Sequence, residues 1–205
     1  DEIPPEVFKK RVFVVAEAGS NWFNGPEEDE VTKLQRAIDL LRVASEAGAD
    51  AIKFQLFRAN DLYLKDSEHW RTVNPLEMPL GWLPWLAIKC LRRGIEFMCS
   101  AFSEDMVDAV DPFVKRHKIA SLEITDLSLV RHVARKGKPI IMSTGAASDE
   151  DVRNAMISIR GTYGFCGDLK VLHCTTAYPC PPEDANLRSV LRADGLSDHT
   201  SDPVV

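Results

Sequence analysis

The sequence predicts an α/β fold, a (β/α) barrel of the TIM type, and three observations predict it. Strand-like and helical segments alternate along the 205 residues, which favours a parallel sheet. Polar side chains follow every strand-like run, and a barrel keeps its active site at the carboxyl ends of its strands. The turn after the first strand, AGSNWFNG, lacks the Gly-x-Gly-x-x-Gly motif that marks an open dinucleotide-binding sheet.

Short runs of apolar and β-branched residues mark six strands, at 12–17, 50–55, 95–100, 118–123, 139–144 and 169–174. Longer segments with apolar residues at helical spacing lie at 30–48, 82–94, 104–116, 127–137, 149–161 and 185–192. Glycines are placed to end four of these helices, and Ser148 with Asp151 predicts a capping box at the start of the helix near 149. The interval 56–81 is predicted to be an extended loop.

Composition limits the class of protein. Hydrophobic residues make up 45% of the chain, so we expect one domain over residues 1–205. The net charge of −6 argues against a general nucleic-acid-binding protein. No apolar run approaches the roughly 20 residues of a membrane span, and the first residues lack a signal-peptide layout. Five cysteines without a Cys-x-x-Cys pair fit a reducing compartment. We therefore expect a cytoplasmic protein without membrane partners.

The polar residues that follow the strands include two lysines and several hydroxyls. Lysine offers a point charge to phosphate or carboxylate, and Ser and Thr add donors at short reach. Lys118 and Ser121 would not share a face in an ideal strand, but both could reach a mouth where the strand ends. Each lysine alone is also compatible with an exposed charge; together with the hydroxyls they predict an anion site. The candidates are Glu17, Lys53, Gln55, Ser100, Lys118, Ser121, Glu123, Ser143, Thr176, Tyr178, Ser197, Asp198 and His199.

The five histidines separate by context. His69, His117 and His132 are expected on the surface, and His173 is expected to be a hydrogen-bonded residue of the barrel. His199 follows Ser197 and Asp198 at a strand end, where a neutral imidazole could bind a divalent metal. A role in a turn or cap is the alternative for His199.

Six segments occur in an order that resembles one family. They are AEAGSN at 16–21, GADAIKFQ at 48–55, KIASLE at 118–123, GKPIIMSTG at 137–145, LHCTTAYPCPPEDANL at 172–187 and GLSDHT at 195–200. This pattern is similar to the N-acetylneuraminate (sialic acid) synthase family, which includes legionaminate, pseudaminate and spore-coat polysaccharide synthases. The resemblance covers residues 12 to 200.

The resemblance implies a (β/α)8 barrel that condenses phosphoenolpyruvate with an N-acyl amino sugar such as N-acetylmannosamine and releases phosphate. By motif position it implies that the phosphoenolpyruvate site comprises Lys53, Ser100, Lys118, Ser121, Ser143 and Ser197. The sugar would face Glu17, Gln55, Glu123 and Tyr178, and His199 would be one of two histidine ligands for Mn2+ or Mg2+. Thr176 and Asp198 are expected to bind substrate, and a homodimer is expected by family analogy.

The sequence departs from the family pattern in three places. In one of them, between 185–192 and 195–200, only Ala193 and Asp194 stand where the family has a longer segment with most of strand seven. The family has Asn-His-x-Gly after the first strand, and this stretch reads Asn21, Trp22, Phe23, Asn24, Gly25. The last βα unit, with the second metal histidine, and the C-terminal antifreeze-like domain do not occur in these 205 residues. We therefore expect a barrel that is incomplete at its C-terminal end, because residues of the protein are missing from this sequence. An isolated polypeptide of this kind is expected to be poorly stable, because its sheet edges stay open.

Two other functions stay open at this point. A Schiff-base aldolase would use Lys53 or Lys118 to form an imine with a keto acid. A non-catalytic paralogue or fragment would bind a sugar phosphate or a partner without turnover. Trapping with borohydride separates the aldolase from the synthase, because only the imine enzyme becomes covalently labelled.

Overall fold

The computed structural model describes residues 11–201. Within that range, seven parallel strands pair in the order in which the sequence presents them. They are β1 (Val15–Gly19), β2 (Ala51–Leu56), β3 (Glu96–Ala101), β4 (His117–Ile119), β5 (Ile140–Ser143), β6 (Leu169–Cys174) and β7 (Gly195–Ser197). Sequential parallel strands with helices between them are the arrangement of a (β/α)8 barrel. The predicted fold class is confirmed, and β1 and β7 are the outer strands of the described sheet.

Helices cover the outer face of the sheet. The longer ones are α1 (Glu30–Glu46), α4 (Trp82–Arg93), α5 (Glu104–Val110), α6 (Leu127–Arg135) and α7 (Asp149–Arg160), and two short ones, α2 (Ala59–Leu62) and α3 (Glu68–Val73), lie between β2 and α4. Buried residues of α1 and α4, including Leu41 and Leu86, pack in one cluster with Phe54 of β2 and Phe97 of β3. None of the helices within 11–201 combines the length and apolar character that crossing a bilayer would require.

The helix ends follow the sequence signals. At α7 the Ser148 side chain accepts the Asp151 N–H, and the Asp151 carboxylate accepts the Ser148 N–H, which confirms the predicted capping box. Gly94 ends α4 in the left-handed conformation with φ of 69°, which a residue without a β-carbon adopts without strain. Gly161, also predicted to end a helix, does so with φ of −82° and needs no such freedom.

Some predicted boundaries are wrong, for local reasons. The strand predicted at 118–123 ends at Ile119, because the Glu123 N–H donates to the Ala120 carbonyl and the chain turns into a 3-10 segment. The helix predicted at 104–116 ends at Val110, because Pro112 has no N–H to continue it. The helix predicted at 185–192 is a 3-10 segment, Leu187–Arg192, since Asn186 has φ of 48°.

Two further differences concern the first strand and the long loop. The strand predicted at 12–17 is Val15–Gly19; the Val14 N–H donates instead to the Asp50 carboxylate at 2.8 Å. The interval 56–81 contains α2, α3 and a 3-10 turn, Asn74–Leu76, rather than loop alone. The Glu77 carboxylate joins the two ends of this interval, because it accepts the Ala59 N–H at 2.6 Å.

Two layers fill the inner face of the sheet. Ala51, Met98 and Ile141 form a small apolar cluster of their own on β2, β3 and β5. Two residues further along the same strands, and therefore on the same face, stand Lys53, Ser100 and Ser143, all buried. The apolar layer is thus the floor beneath a polar layer at the carboxyl ends of the strands.

Candidate active site

A cavity of about 210 Å³ opens at the carboxyl ends of the strands. Its lining includes every predicted site residue except Asp198. Those residues are Glu17, Lys53, Gln55, Ser100, Lys118, Ser121, Glu123, Ser143, Thr176, Tyr178, Ser197 and His199. The Asp198 carboxylate instead accepts the backbone N–H of Thr200 at 3.0 Å, so it closes a turn beside the site. The remaining lining residues, Phe102, Ala120 and Leu122, carry apolar side chains, and of these only Phe102 stands out in the sequence, because it follows the third strand.

Lys53 has a carboxylate partner inside the cavity. Its ammonium forms an ion pair with Glu17 and donates to the Ser100 hydroxyl at 3.2 Å. The Glu17 carboxylate also makes a local hydrogen bond: it accepts the Gly19 N–H at 2.8 Å, at the end of β1. Lys53 is therefore held between β1 and β3 by an ion pair on one side and a hydrogen bond on the other.

Lys118 has no such partner. Its ammonium donates to the Ile119 carbonyl at 2.8 Å and to the Ser143 hydroxyl at 2.7 Å, both neutral acceptors. Burial, and next the positive charge of Lys53, lower the pKa of Lys118 from 10.5 to about 7. Lys118 lies opposite Ser100 in the pairing of β3 with β4, and like Ser100 it lines the cavity.

Ser121 and Gly145 connect the loops after β4 and β5. The Gly145 N–H donates to the Ser121 hydroxyl oxygen at 3.1 Å. A β-carbon at Gly145 would lie 2.6 Å from Thr176 Oγ1 and 2.9 Å from the Cys174 carbonyl oxygen. Only glycine lets these three loops approach so closely, and their approach brings Ser121 and Thr176 to the same mouth.

Glu123 is a buried carboxyl on the 3-10 segment Glu123–Thr125. Its Oε2 atom has no hydrogen-bond partner among the described residues. Burial raises the pKa of this carboxyl from 4.5 to about 6. A buried, unpartnered carboxyl oxygen at a cavity wall is suited to a hydrogen bond with a bound molecule.

His199 is held on both sides of its ring. Nδ1 lies 2.9 Å from the Thr175 carbonyl oxygen, and since a carbonyl only accepts, Nδ1 carries the proton. Nε2, left with its lone pair, lies 3.1 Å from the Tyr178 hydroxyl, and the two rings stack with centroids 4.1 Å apart. Cys174 Sγ packs against the imidazole, 3.8 Å from either ring nitrogen.

This arrangement fits one ligand of a metal site. A metal-binding histidine commonly donates its other ring N–H to a backbone carbonyl, as His199 does to Thr175. Among residues 11–201, however, no three His, Cys, Asp or Glu side chains are grouped so that they could hold a metal. The described residues therefore supply one nitrogen donor and do not complete a metal centre.

The histidine expectations are partly wrong. His117, expected on the surface, begins β4 and is buried, with Nε2 2.9 Å from Asp111 Oδ1. His132 is half-buried between α5 and α6, and His69 is exposed. His173 lies 2.9 Å from the Ala185 carbonyl oxygen through Nε2, as predicted. Burial of His117 could not be read from its neighbours, because its apolar environment comes from other elements.

A larger groove, of about 720 Å³, lies at the opposite end of β2 and β3. It is lined by Phe13, Ile88, Leu91 and other largely apolar residues, and by none of the predicted site residues. The chemistry-bearing side chains therefore collect in the smaller cavity and not in the larger groove.

Comparison with known proteins agrees with this arrangement. A family model described as the NeuB family matches residues 40–205. The chain is 36% identical to the spore coat polysaccharide biosynthesis protein SpsE of Bacillus subtilis, over 94% of this chain and 54% of that protein. It is 35% identical to the N,N'-diacetyllegionaminic acid synthase of Legionella pneumophila, over 97% of this chain and 60% of that protein.

The fold has solved relatives. The crystal structure of an N-acetylneuraminic acid synthetase from Leptospira borgpetersenii superposes with a TM-score of 0.82 at 26% identity, over 93% of this chain and 66% of that chain. Against the two curated relatives, the chain spans between half and two thirds of their length. The family match, the identities and the shared barrel lead to one conclusion: the chain belongs to the NeuB family.

Proposed function

We propose that this chain contributes the catalytic barrel of a synthase that condenses phosphoenolpyruvate with an N-acyl amino sugar of the N-acetylmannosamine type. The product would be a sialic-acid-like nonulosonic acid, and phosphate would be released. The observation that carries the proposal is the pair of buried lysines with serine hydroxyls in one cavity, because such a set matches a ligand with both phosphate and carboxylate. The names of the relatives, which are acid synthases, support the reaction class.

Phosphoenolpyruvate would lie on the lysine side of the cavity. Lys53 and Lys118 supply the cations, and the hydroxyls of Ser100 and Ser143, already bonded to those ammonium groups, supply further donors. Ser121 and Ser197 border the same space. As the C–O bond to phosphate breaks, the charge that moves onto the phosphate oxygens faces these fixed donors.

The acceptor sugar would lie on the carboxylate side, near Glu17, Gln55, Glu123, Thr176 and Tyr178. In the reaction, the C3 carbon of phosphoenolpyruvate forms a bond to the aldehyde carbon of the open-chain sugar, water adds at C2 and phosphate leaves. Glu123 would protonate the aldehyde oxygen, and its pKa, raised by burial to about 6, supports this because it leaves a fraction of the carboxyl protonated near neutral pH. Holding both substrates in one cavity supplies the proximity that the bimolecular step needs.

Mn2+ or Mg2+ remains part of the proposal, with His199 as the ligand that the described residues supply. A divalent metal bound there would act as a Lewis acid toward the sugar aldehyde. The proposal also includes a homodimer and a cytoplasmic location, for which the support is family analogy and cysteine usage.

The test is phosphate release from phosphoenolpyruvate, measured with N-acetylmannosamine and with a di-N-acetylated amino sugar, in Mn2+ and then in EDTA. We expect release that needs both substrates and is lost in EDTA. Release with one acceptor alone would identify the sugar. No release with any acceptor from a folded sample would contradict the proposal and favour a non-catalytic, ligand-binding protein.

One observation favours a second candidate, the Schiff-base aldolase. A lysine whose pKa lies near 7 is partly neutral and can attack a keto acid, and Lys118 has this property. Incubation with pyruvate and borohydride should leave the synthase unlabelled. A mass increase of one pyruvate-derived adduct on Lys118 would instead establish the aldolase.

A further inference from the structure

The two lysines of the cavity differ in what balances their charge. Lys53 pairs with Glu17, whereas the hydrogen bonds of Lys118 go to the Ile119 carbonyl and the Ser143 hydroxyl, which carry no charge. Both amines are buried. A buried ammonium without an anion beside it is expensive, and such a group tends to lose its proton.

The charged groups around Lys118 come from several elements. Lys53 on β2 opposes a second positive charge, and Glu17 on β1 is already engaged by Lys53. Glu123, from the 3-10 segment, acts on Lys118 only through space, and burial keeps that carboxyl partly protonated. Cys174 on β6 adds a thiol, and Tyr178 and His199 border the same cavity. Among residues 11–201, no carboxylate lies within 4.0 Å of the Lys118 amine.

We propose that, at pH 8, Lys118 is largely a neutral amine in the ligand-free cavity and takes up close to one proton from solvent when a dianionic ligand binds. The inference rests on the proposed function in one respect, that the lysine side of the cavity is an anion site. The step is balanced: the nitrogen lone pair accepts a proton from water or buffer, the dianion enters, and no other bond breaks. The Lys118 ammonium that results then faces the negative charge of the bound dianion.

The coupling makes anion binding depend on pH. A Lys118 pKa near 7 leaves the amine about nine tenths neutral at pH 8. Since the bound form carries one more proton than the free form, the affinity for a dianion falls about tenfold for each pH unit above that pKa and levels off below it. Lys53, paired with Glu17, is the other basic side chain of the same cavity.

Sulfate is a suitable probe, because it remains a dianion over this range and carries no proton of its own. We would titrate the chain with sodium sulfate by calorimetry at pH 8 in two buffers of different ionisation heat. Close to one proton should be taken up for each sulfate bound, and the dissociation constant should rise about eightfold from pH 7.5 to pH 8.5. Equal heats in the two buffers together with an unchanged dissociation constant would overturn the proposal.

Variants assign the proton to Lys118. Lys118→Arg keeps a cation that does not titrate, so sulfate binding should lose both the proton uptake and the pH dependence. Lys170→Arg, a matched change at an exposed lysine of β6, should behave like the original chain. Glu123→Gln should keep the uptake; loss of uptake there would make Glu123 the proton acceptor and overturn the proposal.

A second measurement covers the case in which Lys118→Arg binds no sulfate. In a protein labelled with 15N at the lysine side chains, the signal missing from Lys118→Arg should change from amine to ammonium when sulfate is added at pH 8. An ammonium signal in both states would overturn the proposal. Sulfate titration involves no condensation, so the two proposals can fail separately. Proton uptake without phosphate release would refute the proposed function and leave this inference standing. Phosphate release without proton uptake would refute this inference and leave the proposed function standing.

Discussion

At the scale of single residues, buried Lys118 lowers the stability of the fold while it serves the proposed anion site. Its lowered pKa means that the folded chain disfavours the ammonium, whereas the unfolded chain carries it up to the ordinary pKa of 10.5. Stability is therefore lost as pH falls from about 10.5 toward 7, and the full cost is present below 7. A residue that destabilises the fold in this way is typical of a binding site.

Lys118→Met should consequently stabilise the ligand-free chain. We expect the free energy of unfolding in urea to rise by about 1–4 kcal/mol at pH 7, because the variant removes a buried amine that must be desolvated. The gain should disappear near pH 10.5, where both states are neutral, and sulfate binding should be lost. Lys53→Met is the matched control: it leaves Glu17 unpaired and should not stabilise. A Lys118→Met chain less stable than the original at every pH would contradict this account.

The proposed role of Glu123 as a proton donor gives the second prediction. Glu123→Gln keeps the shape and the hydrogen-bonding capacity of the side chain but cannot protonate the sugar aldehyde. We expect kcat to fall by about 10²–10⁴-fold, with a smaller change in KM. In the original enzyme, activity should fall as pH rises above about 6, and the variant should lose that limb. Glu150→Gln on the exposed first turn of α7 is the control, and an unchanged kcat for Glu123→Gln would remove this role.

At the scale of secondary structure, the start of α7 shows what a cap contributes. Ser148→Ala removes the side-chain half of the capping box, the bond from the Asp151 N–H to the Ser148 hydroxyl, and we expect a loss of about 1 kcal/mol in the free energy of unfolding. Ser103 occupies the same position before α5, but its hydroxyl donates to Asp105 and makes no cap bond. Ser103→Ala should therefore cost less than Ser148→Ala. Equal losses, measured by denaturant unfolding, would show that the box is not the source.

The elements also show how far the sequence could lead. Strand β6 lies where apolar periodicity placed it, at Leu169–Cys174, because its signal is local. The rule that polar residues follow barrel strands brought together all the cavity-lining candidates, since it depends only on parallel topology. The early end of β4 depends on a hydrogen bond in the following turn, and the left-handed Asn186 depends on its loop; neither leaves a pattern in the sequence.

The charge states of the site residues could not be predicted from periodicity or from strand topology. In the sequence, Lys53 and Lys118 carry the same formal charge and look equivalent. The alignment of neighbouring strands makes them different, because it places Glu17 beside Lys53 and the Ser143 hydroxyl beside Lys118. The same holds for Asp198, whose carboxylate is taken up by Thr200. Residue types and spacing predict which groups meet, whereas burial and partner choice decide their charge.

At the scale of the whole molecule, the outer strands of the described sheet matter most. β1 and β7 each pair on one side only within residues 11–201, and unpaired strand edges favour association with other chains. We therefore expect a polypeptide of these 205 residues alone to unfold at low temperature and to form larger species as its concentration rises. Size-exclusion chromatography over a concentration series, with thermal unfolding, tests this. A monomer with a sharp transition above about 65 °C would contradict it.

The sequential strand order has a consequence for how the molecule is made. Since each described strand after β1 pairs with the strand before it, that neighbour is already synthesised when the strand appears. The widest gap lies between Leu56 and Glu96, and because closure entropy grows only by about 0.6 kcal/mol for each doubling of loop length, it delays assembly little. The sheet can thus grow strand by strand as the chain leaves the ribosome, and the two lysines come together only when the fourth strand has emerged.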